Sequence, residues 1–179
     1  MHAHEVLAFW FGELTPKQHF AKDAALDALI GVRFGAHLQA AADGALAHWR
    51  ADAPGRLAEI IVLDQFPRNI HRDTPRAFAH DAQALALAQE IVGHGLDRAL
   101  PVPQRAFAYL PYMHSEDLTV HAAALPLFEQ PGLEHNLHFL HRHTEILRRF
   151  GRYPHRNALL GRASTPEELA FLQQPGSAF

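Results

Sequence analysis

Six arginines (Arg142, Arg148, Arg149, Arg152, Arg156 and Arg162) crowd one stretch that holds a single acid, Glu145, while the chain as a whole carries a formal net charge of -3. Within it, Gly151-Arg152-Tyr153-Pro154-His155-Arg156-Asn157 interrupts the helical pattern with turn residues, so several side chains leave one loop together. The planar guanidinium fork binds a carboxylate or phosphate through two parallel hydrogen bonds. Phe66-Pro67-Arg68-Asn69 echoes the loop with an aromatic, a proline and an Arg-Asn pair. Together these segments nominate Arg68, Asn69, Arg152, His155, Arg156 and Asn157 as a pocket for a small anionic ligand or an acidic peptide terminus, the arginines gripping the anion and the amides and imidazole orienting it.

Two aspartates lie where a core belongs. At ~100° per residue, Asp64 falls on the face of Leu57, Ile60 and Ile61, and Asp81 lies close to the stripe of Phe78, Leu85 and Val92. A buried carboxylate needs a cation or donors, so the arginines can instead serve as internal partners, with Arg68 one turn beyond Asp64. Asp64 and Asp81 are therefore assigned to a structural polar network.

Fifteen histidines raise the question of metal. His135, His138 and His141 turn away from Leu133, Leu137, Leu140 and Leu147, as a solvated face does. His114, Asp117 and His121 share a face, but without the spacing of a metalloprotease signature, so no metal and no cofactor are expected. His114 with Glu116 or Asp117 could act as acid and base, the arginines stabilising developing charge, in a hydrolase or transferase. No nucleophile accompanies them: Ser115 reads as an N-cap, and Thr165-Pro166-Glu167-Glu168 as a capping box.

These residues must be positioned by helices. Apolar residues recur at helical spacing along almost the whole chain, and no run of alternating β-branched residues competes. The pattern predicts an all-α fold with about eight helices near 3–11, 22–49 (divisible at Gly44), 55–66, 75–94, 103–110, 115–129, 133–150 and 165–173. Breaks are expected at prolines that include Pro67, Pro101, Pro111 and Pro154. A chain of 179 residues with 48% hydrophobic content supports one domain, 1–179, around one core. The net charge supplies no field for nucleic acid or membrane, and the absence of cysteine excludes disulfides and thiolate chemistry. Neither a leader nor a spanning segment is evident, so a cytoplasmic location is expected.

The chain also resembles the bacterial family catalogued as domain of unknown function 924, nearly end to end. The matching segments are Val6-Leu7-Ala8-Phe9-Trp10-Phe11-Gly12, Leu63-Asp64-Gln65-Phe66-Pro67-Arg68-Asn69-Ile70, Ala77-Phe78-Ala79-His80-Asp81, Tyr109 through Asp117, Phe150 through Asn157, and Leu160-Gly161-Arg162 through Glu168. The resemblance implies a tetratricopeptide-like α-α superhelix, no established activity, and one shared polar site rather than scattered ion pairs. At His121 the family pattern has glutamine. Helical superhelices also serve as interaction scaffolds, so a protein partner docking on an exposed Trp10, Phe11 or Trp49 is a further expectation.

Overall fold

The computed structural model describes residues 1–177, and among these every regular element is helical. Eight α-helices follow in order: α1 Ala3–Ala8, α2 Ala24–Ala42, α3 Ala53–Ile70, α4 Asp81–Gly93, α5 Val102–His114, α6 Leu118–Phe128, α7 Glu134–Phe150 and α8 Pro166–Leu172. A π-helical turn, Phe9–Glu13, extends α1, and 3-10 turns fill several connections, among them Ala47–Ala51 beyond the break at Gly44.

Local chemistry sets many of the ends. Asp23, Asp52 and Asp117 cap α2, α3 and α6 by accepting backbone N–H bonds, and Thr165 with Glu168 forms the expected capping box on α8. The N-cap of α6 is thus Asp117, not Ser115, whose hydroxyl accepts the Asp117 N–H instead. Pro67 and Pro111 were expected to break their helices and do not: α3 runs on to Ile70 and α5 to His114. Both prolines are buried, and packing around those turns outweighs the lost backbone bond. The consequence is functional, because the extra turns carry Arg68 and His114.

Helices α1, α3, α5 and α7 form a row in which each packs on the next, with α4 between α3 and α5 and α6 between α5 and α7. Helix α2 packs along α3, which is therefore covered on nearly every side. Leu57, Ile60, Ile61, Leu63 and Phe66 of α3 fill the core. So do two acids, Glu59 and Asp64, each fully buried. Arg50 answers Glu59 with two hydrogen bonds of 2.8 and 2.7 Å, as a buried charge requires. A second small core of Ile146, Leu147 and Tyr153, with Phe150 and Phe171 against it, carries the C-terminal segment. Among the described residues no helix is long and apolar enough to cross a membrane. Trp10 and Trp49 are buried and Phe11 is half-buried, so the tryptophans proposed as docking aromatics belong to the core.

Candidate functional site

Four elements meet around Asp64: the last turns of α3, the first turn of α4, the end of α5 and the loop after α7. Gly151 ends α7 with φ at 69°, a left-handed conformation that glycine adopts without strain, and this turns the chain back toward the bundle. Tyr153 then anchors the loop. Its hydroxyl donates to the Met113 carbonyl at 2.7 Å, and its N–H donates to Glu116 at 2.7 Å. The turn Pro154–Arg156 that follows delivers Arg156 to the cluster.

The cluster is a relay of charge contacts. Asp64 Oδ1 accepts from His114 Nδ1 at 2.7 Å, while its other oxygen accepts from the Gln65 amide at 2.5 Å. Arg68 Nη1 stands 3.3 Å from Asp64 Oδ1 and donates to the Asp64 carbonyl at 2.6 Å. The same guanidinium grips Asp81 with both nitrogens, at 2.8 and 3.0 Å. Arg156 reaches Asp81 from the opposite element through a long contact of 3.5 Å. Its guanidinium lies between two rings, 4.6 Å from the centroid of Phe78 and 4.8 Å from that of Tyr153. The two arginines of the echoed sequence segments thus converge on one aspartate.

Electrostatics fix the protonation states. Burial alone would raise the Asp64 carboxyl, but His114, Arg68 and its hydrogen bonds outweigh burial and hold it below the usual carboxylate range. An ionised Asp64 only accepts, so His114 carries its proton on Nδ1. Burial and the neighbouring Arg68 push the His114 imidazolium below its ordinary value, leaving the ring neutral near pH 7 with its lone pair on Nε2. No described residue hydrogen-bonds to Nε2, and that atom is not sealed from solvent, on a side chain that is 16% exposed. Arg156 is the other unusual group. Its side chain is 9% exposed, its Nε is sealed from solvent without an acceptor, and burial and Arg68 lower its pKa.

The remaining nominated residues divide cleanly. His155 stacks on Tyr153 beside Arg156, and its pKa is pushed down to about 4 by burial and that arginine. Asn69 donates to Asp27, which also takes two bonds from Arg72, so it faces α2 rather than the cluster. Arg152 clamps Glu168 with two bonds of 2.7 and 2.8 Å and fastens α8. Asn157 is fully buried and ties Arg162 to Ser164. The carboxylate partner of His114 is Asp64, not Glu116 or Asp117. Glu116 is held by Arg162 at 2.6 and 3.0 Å, and Asp117 is the cap of α6. His121 bonds to Thr144, the Ser115 carbonyl and Tyr153, so it does not join His114 and Asp117. Among the described residues no group of three or more metal-ligating side chains is assembled. His135, His138 and His141 are exposed, as expected of a solvated face.

Gln65, Phe78 and Arg162 also take part, and residue spacing alone does not point to them. All three sit inside the segments that match the family, and nothing local pairs Arg162 with Glu116. Two shallow depressions, of about 280 and 190 Å³, lie elsewhere, one beside Ile146 and Phe171 and the other beside Leu63 and Leu87.

No curated protein matches the chain. A solved structure of a protein of unknown function from Agrobacterium tumefaciens is similar to it, with 39% sequence identity, a TM-score of 0.91 and coverage of 96% of each chain. The family model described as bacterial protein of unknown function (DUF924) matches residues 6–176, which include every side chain of the cluster. The chain belongs to this bacterial family of unknown function, DUF924.

Proposed function

We propose that the chain is a binding module for a small anion, held by Arg156 with Arg68 behind it. The supporting observation is the buried donor edge of Arg156. Its Nε has no acceptor, no described residue bonds to its Nη2, and its one ion-pair contact is the 3.5 Å approach to Asp81. A guanidinium so enclosed costs several kcal/mol unless its donors are answered; Nε is out of a ligand's reach, and a carboxylate oxygen meets the fork at Nη2, which is not sealed. The rings of Phe78 and Tyr153, 4.6 and 4.8 Å from the guanidinium carbon, restrict where the planar fork can move. Charge selects the ligand class. Asp64 and Asp81 balance Arg68 and Arg156, so one added negative charge is less costly here than the two of a phosphate monoester dianion. Small monocarboxylates, the single carboxylate arm of a larger metabolite, or a peptide C-terminus fit. The row of α1, α3, α5 and α7 supports reading the scaffold as a tetratricopeptide-like superhelix.

Thermal shift over a panel of mono- and dicarboxylates, phosphate and nucleotides tests this. Ligand at ~100 times its dissociation constant stabilises by about 2.7 kcal/mol. Carboxylates are expected to shift the wild type, and Arg156→Lys, which keeps the charge but loses the fork, to abolish the shift. An unmoved wild type across the panel refutes the reading.

A further inference from the structure

The Asp64–His114 pair is more than the anion module needs. We propose that His114 is a general base, oriented by Asp64, and that the chain hydrolyses esters whose second, free carboxylate is held by Arg156. This inference rests on the anion-binding reading for its substrate class.

The geometry has three parts. First, Asp64 is fully buried and its Oδ1 accepts the Nδ1 proton of His114 at 2.7 Å, which fixes the tautomer and the plane of the ring. Second, the opposite nitrogen, Nε2, makes no hydrogen bond to a described residue and is not sealed from solvent. No described hydroxyl bonds to it, so the group it can deprotonate is water. Third, the same Asp64 leads through Arg68 and Asp81 to Arg156, so base and anion holder are two ends of one connected cluster. The charged groups around the ring are Asp64 and Arg68 from α3 and Asp81 from α4, with His121 of α6 and His143 of α7 nearby. Burial and Arg68 outweigh Asp64 and Asp81, which keeps the imidazole neutral and able to accept a proton at neutral pH.

The step is a hydrolysis. As the water oxygen bonds to the ester carbonyl carbon, Nε2 takes one of its protons. Collapse of the tetrahedral adduct breaks the bond to the leaving oxygen, which takes the proton from Nε2. An acid and an alcohol result, and the imidazole is neutral again. Asp64 is a positioning residue, since it acts only through the ring.

The probes are 4-nitrophenyl hydrogen succinate, which carries a free carboxylate, and 4-nitrophenyl acetate, which does not. The wild type is expected to hydrolyse the succinate at least about 100-fold faster than His114→Gln, the lower end of what a general base contributes, and to prefer it over the acetate. Arg156→Lys should erase that preference. Asp64→Asn should move the acid limb of the wild-type pH profile to lower pH, because the imidazolium loses its anionic neighbour; a purely structural role would lower the rate without moving the limb. Equal rates in wild type and His114→Gln overturn the proposal, as does hydrolysis that depends on His114 yet is indifferent to the carboxylate. If His114→Gln does not fold, the wild type alone decides, and a rate no higher than buffer overturns the base. Succinate thermal shift separates the two readings. A shift without hydrolysis leaves the anion module standing and removes the base, while neither shift nor hydrolysis removes both.

Discussion

At the scale of single residues, the cluster combines partners that the sequence pairs locally with partners that only the fold supplies. Asp64 and Arg68 are one helical turn apart, a spacing that allows their contact only if the helix continues past Pro67, as it does. His114 lies fifty positions from Asp64 and Arg156 lies seventy-five from Asp81, so no local pattern joins them. Tyr153 holds the arrangement from behind. Replacing it with Phe leaves the Met113 carbonyl and His121 Nε2 without their hydroxyl partner, which should cost about 1–3 kcal/mol. Urea unfolding of Tyr153→Phe measures that loss. A change within ~0.5 kcal/mol, as at ordinary surface positions, would show that the loop does not depend on this bond.

At the scale of elements, two joints hold the scaffold. Helix α3 begins so close to the preceding turn that a β-carbon at Gly55 would sit 1.9 Å from the Trp49 carbonyl oxygen, a backbone atom that cannot swing aside. Gly55→Ala should therefore destabilise by ~3 kcal/mol or more, read as a lowered melting temperature. The second joint is the Arg152–Glu168 clamp on α8. Its hydrogen bond to Arg152, and the Thr165 N–H, hold the Glu168 carboxyl down at about 2. A depressed carboxyl contributes stability that is whole above its ordinary value of 4.5 and is lost as pH falls toward about 2. Arg152→Ala should release α8 at neutral pH. Limited proteolysis would then cut after residue 162 in the variant before it cuts the wild type, and identical cleavage patterns would show that the capping box alone suffices.

At the scale of the whole molecule, buried neutral histidines set the response to acid. Burial pushes His143 down to about 3 and His155 to about 4. The unfolded chain binds protons at these positions below the ordinary 6.5 while the folded chain does not. Stability is therefore full above about pH 6.5 and falls as pH drops toward 4. At pH 5 each contributes a loss of about 2 kcal/mol, at ~1.4 kcal/mol per pH unit. Unfolding midpoints measured from pH 8 to 4.5 should decline below 6.5 and flatten above it. His143→Phe should reduce the decline, whereas a profile flat down to pH 5 would mean these rings titrate normally.

The all-helical class, the approximate helix spans, the solvated face of His135, His138 and His141 and the interior placement of Asp64 were legible in the sequence, because periodicity and caps are local properties of the chain. The passage of α3 and α5 through Pro67 and Pro111 was not. A helix interrupted at proline is costly in isolation, and only burial on all sides compensates it. Those added turns decide the site: they bring His114 to Asp64 and leave Glu116 to Arg162. Local spacing could show which side chains were capable of chemistry, but the choice among distant partners of opposite charge depends on where the helices pack, and that was decided by the tertiary structure.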